Sequence, residues 1–408
     1  MAHIAWLGKK SPFCGNVTYG LSTTHALRQR GHQISFIHFD TPAAQQLKGL
    51  SQLAQLSQLA DPLFHWAPTA PEPGESPEVA LPYLVKSQVY TIPSPGAQRE
   101  FRESLERLKP DLVHASLTLS PLDFLLPDLC QQLEVPLVAT FHPAFDAGLR
   151  NLTAGTQQLT YQLYAPTLAR CDRVIVFSEL QAEVLMRLGV KEERLAVIPN
   201  GVDVESWRPA KQTPSPELQQ VRGRLGERRV FLYMGRVSTE KNVEALLKAW
   251  RLVRPQGCQL VIVGDGPLRN GLQSVGDESD VLWWGYESDL DRRIALLQAA
   301  EVFLLPSLVE GLSLALLEAM ASGTACVATD AGADGEVLEG GAGIVISTQG
   351  VTTQLRTLLP VLRDQPVLTA ELGRRARERV LERYTLTRNI DALERLYGEL
   401  VPRAALTA

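Results

Sequence analysis

The chain has 408 residues, of which 45% are hydrophobic and 21% charged, with a formal net charge of −5. That length favours two or three domains of ordinary globular composition. The charge gives no electrostatic reason to expect nucleic acid as a partner, and no uncharged apolar stretch reaches the roughly 18 residues of a membrane span. Five scattered cysteines, with no CxxC or His/Cys ligand spacing, point to a reduced cytoplasmic compartment. The N-terminal MAHIAWLGKK has too short an apolar run for a signal peptide and reads as a first strand.

Short aliphatic runs alternate with helical patterns along most of the chain. In the first half they are His3–Leu7, Gln33–Phe39, Asp111–Ala115, Pro136–Thr140, Arg173–Phe177 and Leu195–Ile198. In the second half they are Arg229–Met234, Gln259–Val263, Val281–Trp284, Val302–Leu305, Ala325–Thr329 and Ile344–Ile346. Each is almost continuously apolar, as central strands of a parallel sheet must be when helices cover both faces. The alternation predicts doubly wound α/β architecture twice over. A Pro/Ser/Lys-rich stretch around 206–216 predicts the join between halves, and the proline-rich region between Thr41 and Pro82 predicts an irregular insertion. Open parallel sheets bind ligands beyond the carboxyl ends of their strands, so two such domains facing one another predict a cleft.

The first strand runs into a loop, GKKSPFCGNVTYG, with a helix expected near Thr18. Gly15 and Gly20 permit close approach of backbone to a ligand there. No GxGxxG follows, and GDGPLR (264–269) has the wrong glycine spacing, so a nicotinamide dehydrogenase is disfavoured. TFHPAF places His142 just past a strand end, a position where histidine is either structural or functional. In YMGRVSTEKNVEALLKAW, Arg236 and Lys241 bracket a turn before a helix beginning near Asn242. Two cations at that place suit a diphosphate, Arg gripping as a fork and Lys as a point charge.

The stretch EGLSLALLEAMASGTACVATDAG places Glu310 in a loop and Glu318 inside the helix that follows. Carboxylates in so apolar a run are costly to bury without partners. Their backbones lie on the order of 12 Å apart along the axis, a separation that spans one sugar nucleotide. Carboxylates accept hydroxyl protons in pairs, and the amides of Gly311, Leu312 and Ser313 can face phosphate at the helix start. The competing reading makes Glu310 a helix cap and Glu318 half-exposed. An Asp-x-Asp at Asp289–Asp291 suggests a metal only weakly, because Ser288 and Asp291 have helix-capping spacing.

The ordered motifs GRVSxEKN, VGDGP and FLLPSxxEGLSLALLEAMASGTACVATDAGADGEV, preceded by GNVTYG, TFHPAF and IPNGVD, resemble the retaining family 4 glycosyltransferases of GT-B fold. That resemblance implies two Rossmann-like domains facing across a cleft, with residues 1–205 for the acceptor and 206–385 for the nucleotide sugar. It further implies a C-terminal helical segment, 386–408, returning to the first domain. It implies a catalytic set of His142, Glu310, Arg236 and Lys241. Donor binding would fall to Gly15, Arg236, Lys241, Glu310, Gly311, Leu312, Ser313 and Glu318, with no metal and no cofactor beyond the substrate nucleotide sugar. Arg236 and Lys241 would hold the diphosphate, Glu318 the ribose and Glu310 the donor sugar, while His142 would support the reaction centre. The chain departs from the family pattern at Leu312 and Ser313, where Phe and Gly are common, and at Asn16, where a second glycine is common.

Within the family, IAWLGKKSPFCGNVTYG, VKSQVYTIPS, HASLTLSPLDF and GADGE look like the cyanobacterial type of digalactosyldiacylglycerol synthase. That similarity implies UDP-galactose as donor and monogalactosyldiacylglycerol, a membrane glycolipid, as acceptor, with peripheral membrane contact. The residues themselves support this thinly: 115–129 is apolar but reads as a buried helix start, and the basic run 373–383 alternates with acids like a solvated helix face. A transferase acting on a soluble sugar or polysaccharide, and a non-catalytic sugar-nucleotide-binding protein, are the alternatives.

Overall fold

A strand buried on both faces must be apolar at every position, and most of the apolar runs in this chain become such strands. The structure is a computed structural model that describes residues 1–11, 14–42, 78–87, 90–143, 152–275 and 279–401. One sheet contains β1 (His3–Leu7), β2 (Gln33–Pro42), β3 (Val79–Lys86), β4 (Thr91–Pro93), β5 (Leu112–Ser116), β6 (Leu137–Thr140), β7 (Arg173–Val176) and β8 (Leu195–Val197). Its strand order is β4-β3-β2-β1-β5-β6-β7-β8. The other contains β9 (Arg229–Met234), β10 (Cys258–Val263), β11 (Val281–Gly285), β12 (Val302–Leu305), β13 (Ala325–Thr329) and β14 (Ile344–Ile346), ordered β11-β10-β9-β12-β13-β14. All pairs in the second sheet are parallel.

The sequence reading missed β3 and β4, and β4 is antiparallel to β3. Both lie at the edge of their sheet, and β3 leaves Leu84 and Val85 exposed, so it lacks the continuous apolar signature. It also contains Pro82, which stands opposite Thr41 where the register of the β2–β3 pair shifts. That irregularity suits a residue with no N–H to donate. The rest of the predicted insertion, 43–77, lies outside the described residues.

The chain forms two compact units: residues 1–142, 161–198 and 390 onward, and residues 143–160 and 199–389. The stretch expected to be a linker is pinned within the second unit. Arg377 donates to the carbonyls of Trp207 at 2.8 Å and Val204 at 3.1 Å, and Ser215 caps the helix Pro216–Leu225 through its Oγ. Elsewhere in the predicted basic face, Arg374 and Arg375 pair with Glu371 on the exposed side of the helix Pro366–Arg383. The apolar stretch 115–129 does enter a buried helix start, with Leu122, Leu126 and Leu129 in the core.

Within the helix Leu386–Leu400, the part from residue 390 on belongs to the first unit and buries Leu393, Leu396 and Tyr397. Tyr397 Oη lies 2.5 Å from Nδ1 of the fully buried His114, whose Nε2 is 2.7 Å from Thr140 Oγ1. Tyr397→Phe leaves one buried ring nitrogen without a partner, at an expected cost of about 1–3 kcal/mol. Urea unfolding should show a lower midpoint with unchanged slope; an unmoved midpoint would mean that the hydrogen bond contributes nothing to stability.

Candidate active site

In the second sheet the strand order reverses between β9 and β12, and in the first between β1 and β5. Ligands of doubly wound sheets gather at such switch points, beyond the carboxyl strand ends. Arg236 comes two residues after the end of β9, and Glu310 five residues after the end of β12.

The loop after β9 is held by backbone packing. A Cβ on Gly264 would lie 1.9 Å from the Gly235 carbonyl oxygen, and one on Gly266 would lie 2.3 Å from that of Val237. The GDGP glycines are therefore required for a close backbone crossing, which Val237 N→Asp265 O at 2.9 Å completes. Asn242 then adopts a left-handed conformation with φ 53° and donates through Nδ2 to the Pro306 carbonyl at 3.2 Å. Leu308 N donates to Glu240 O at 2.8 Å, tying the loops after β9 and β12 together.

This packing brings Lys241 Nζ into an ion pair with Glu310 Oε1. Ser307 Oγ donates to the same oxygen at 2.8 Å, and Glu310 is only 7% exposed. Gly332, at φ 57°, packs so tightly that a Cβ would lie 2.2 Å from the Glu310 carbonyl oxygen. Arg236 is more open and faces Glu240 at 3.7 Å, while Glu240 also accepts from Ser238 Oγ at 2.6 Å. Glu310 is not the cap of the helix Leu314–Ala321: Ser313 is, its Oγ accepting from Leu316 N at 3.3 Å.

Glu318 is 5% exposed rather than half-exposed, and its partner is a residue the sequence did not single out. Arg293, from the helix Leu290–Ala299, places Nη2 at 2.9 and 3.1 Å from the two carboxylate oxygens. Burial pushes the Glu318 carboxyl up, and Arg293 partly draws it back. In that same helix Asp289, not Ser288, is the cap, accepting from Arg292 N at 3.1 Å.

Of the three amides expected to face phosphate, that of Ser313 is engaged in this structure, donating to Asp334 Oδ1 at 2.9 Å. Gly311 and Leu312 contribute carbonyls to the scaffold, accepting from Ala333 N at 2.8 Å and Asn200 Nδ2 at 3.0 Å. Asp334 is fully buried, and its Oδ2 has no partner among the described residues. Burial first, and then the Glu310 charge, push its carboxyl well above the usual range. Its sequence signal was the GADGE motif itself, in which no residue had been given a role.

His142 and Gly15 belong to the first unit. Gly15 is not in a loop: it opens the helix Gly15–Gln29, and among the described residues a Cβ there would meet nothing within 4 Å. Gly20 is buried inside that helix against the Trp6 indole, so its smallness serves helix-to-sheet packing rather than a ligand. His142 Nε2 lies 2.8 Å from Ser116 Oγ, and its ring packs on Tyr19 and Phe177, with centroids 4.9 and 5.2 Å away.

Residues 15–206 match the model described as Glycosyltransferase Family 4, and residues 228–364 match that described as Glycosyl transferases group 1. The chain belongs to the family 4 glycosyltransferases. Among its relatives, the UDP-Gal:alpha-D-GlcNAc-diphosphoundecaprenol alpha-1,3-galactosyltransferase of Escherichia coli is 26% identical over 73% of this chain and 77% of its own length. EpsF of Bacillus subtilis is 32% identical over 51% of this chain and 54% of its own. The alpha-monoglucosyldiacylglycerol synthase of Streptococcus pneumoniae is 29% identical over 57% of this chain and 55% of its own. The chain thus spans little more than half the length of the last two. Anabaena HepE in complex with UDP and glucose matches with a TM-score of 0.74 at 17% identity, covering 98% of this chain and 100% of that one. WaaG, a glycosyltransferase involved in lipopolysaccharide biosynthesis, matches at 0.67 and 17%, covering 97% and 99%. The family 4 chain has the GT-B fold, with two Rossmann-like α/β domains.

The Arg293–Glu318 pair gives this family 4 chain a pH-dependent test. Without Arg293 nothing offsets burial, so the folded-state pKa of Glu318 rises further above its unfolded value. Stability is then retained at low pH, where the carboxyl is protonated, and lost as pH rises through the folded pKa. Arg293→Leu is expected to destabilise on the order of 3 kcal/mol at pH 8 and clearly less at pH 5. Equal melting-temperature losses at the two pH values would show that Glu318 does not depend on this partner.

Proposed function

We propose that the chain is a retaining, metal-independent glycosyltransferase that moves a hexose from a nucleoside diphosphate sugar to an acceptor hydroxyl. The observation that carries this reading is the Lys241–Glu310 ion pair at the β9/β12 switch point, with Arg236 beside it. Lys241 and Arg236 are assigned to the donor diphosphate, whose growing negative charge they neutralise as the sugar leaves. Positive charge already fixed in place costs no reorganisation at the moment of reaction. Glu310 is assigned to hydroxyls of the donor sugar, and Glu318 to those of the ribose. Gly311, Leu312 and Ser313 form the connection that keeps the two acids on one ligand. His142 is assigned to support of the reaction centre and Gly15 to donor binding. In the transfer, the bond from the anomeric carbon to the diphosphate oxygen breaks and one to the acceptor oxygen forms. The acceptor's proton passes to the departing diphosphate.

Solved structures of HepE with UDP and with UDP-glucose support a uridine nucleotide as donor. For the acceptor we propose monogalactosyldiacylglycerol with UDP-galactose as donor, giving digalactosyldiacylglycerol at a membrane surface. Relatives named alpha-monoglucosyldiacylglycerol synthase and sulfoquinovosyl transferase SQD2, the latter from Arabidopsis thaliana, lend support to a glycolipid. No helix among the described residues is long and apolar enough to cross a membrane, so the lipid would be met from its surface.

Glu310→Gln should lower transfer by about a hundredfold or more while changing UDP-sugar affinity only a few-fold. Single-turnover rates alongside calorimetric donor binding measure both quantities; parental transfer in the variant would remove Glu310 from the reaction. Offered UDP-galactose with either monogalactosyldiacylglycerol in mixed micelles or soluble sugars, the enzyme should turn over with the lipid alone. Equal or faster transfer to a soluble sugar would replace the glycolipid assignment.

A further inference from the structure

His142 is bound to its surroundings by a short chain of side chains whose donors and acceptors can be assigned without ambiguity. Asn16 Nδ2 lies 3.1 Å from the carbonyl oxygen of Leu117. A carbonyl can only accept, so the Asn16 group facing it is the amide NH2, and Oδ1 faces the other way. Ser116 Oγ lies 2.8 Å from that Oδ1, which can also only accept. Ser116 must therefore give its single hydroxyl hydrogen to Asn16. What remains on Ser116 Oγ is lone pairs, and His142 Nε2 lies 2.8 Å away. For that contact to be a hydrogen bond, Nε2 must carry the proton.

The chain is anchored at both ends. Leu117, whose carbonyl starts it, donates its own N–H to Thr140 O at 3.1 Å, while Tyr19 and Phe177 pack against the His142 ring. Ser116 is fully buried. Burial, and next the nearby Lys9 charge, lower the His142 pKa to about 3, so the ring is neutral at ordinary pH. A neutral ring with a proton on Nε2 has a bare lone pair on Nδ1. Among the described residues nothing donates to that Nδ1, in contrast to His114, where both ring nitrogens have partners.

We propose that Asn16 and Ser116 are positioning residues that lock His142 in the Nε2–H form, so that Nδ1 is presented as an acceptor for a hydroxyl of the sugar substrate. The choice of ligand class rests on the function proposed above; the lock itself does not. It also gives a role to Asn16, which stands where the family pattern has glycine and which places its side chain, not merely its backbone, at the β1/β5 switch point. Glycine there could not fix the ring, because Ser116 would be free to turn its hydrogen toward His142 and leave the proton on Nδ1.

Long-range 1H–15N spectra of the 15N-histidine-labelled full chain, recorded without substrate, read the tautomer directly. The parent should show a protonated Nε2 and a bare Nδ1 for His142. Asn16→Asp, which still accepts from Ser116, should keep that form. Asn16→Leu and Ser116→Ala should shift the ring toward Nδ1–H or an exchange average, with melting curves confirming that each variant is folded. Asn16→Leu leaves the buried Ser116 in place, so it remains informative should Ser116→Ala fail to fold. A protonated Nδ1 in the parent, or an Nε2–H ring unchanged in folded Asn16→Leu, would overturn the proposal. Because no sugar nucleotide is present, a wrong substrate assignment cannot produce either result.

Discussion

A carboxylate taken out of water needs a cation or a proton, and the second unit is organised around two carboxylates that each found a cation. Glu310 is paired with Lys241 and Glu318 with Arg293, although both acids sit in one of the most apolar stretches of the chain. Removing either cation would leave a desolvated charge, whereas the pairs as built have further hydrogen bonds from Ser307 or a two-oxygen contact. On the proposed function, a diphosphate bound by Lys241 would share that lysine with Glu310 or exchange with it. On that proposal, binding of the phosphate end of a donor is linked to the placement of Glu310, assigned to its sugar end.

The precision of this arrangement comes from backbone rather than from large side chains. Gly264 and Gly266 let the β10 loop cross the β9 loop, and Asn242 ties the latter to the end of β12. Gly332 lets the segment after β13 lie directly on Glu310. Asp334 then holds Ser313, at the mouth of the next helix, by its backbone N–H. Cost enters here as well: Asp334 keeps one buried oxygen without a partner among the described residues, beside a second carboxylate that disfavours its ionisation.

The fold was legible where burial was two-sided. The runs Arg229–Met234, Val302–Leu305 and Ala325–Thr329 coincide with strands because covered parallel strands must be apolar throughout. β3 was not, since Pro82 and two exposed aliphatic residues blur the pattern at the edge of its sheet. At the candidate site, Arg236, Lys241, Glu310 and Glu318 stood out by motif spacing and strand ends, and the structure pairs Lys241 with Glu310. Arg293 was invisible, because which of two adjacent arginines reaches across to Glu318 is decided by helix packing. The helix cap at Asp289 and the start at Gly15 missed by one to three residues, the usual fate of boundaries that one side chain can shift.

The joint between His114 and Tyr397 bears on the order in which the protein can be completed. These partners are 283 residues apart in sequence. On a ribosome, strands β1 to β8 emerge first, but the helix that supplies Tyr397 is synthesised only after the whole of the second sheet. The second unit is nearly continuous in sequence and can close as its chain is made. The first must wait, its His114 site open, until the other unit has been built.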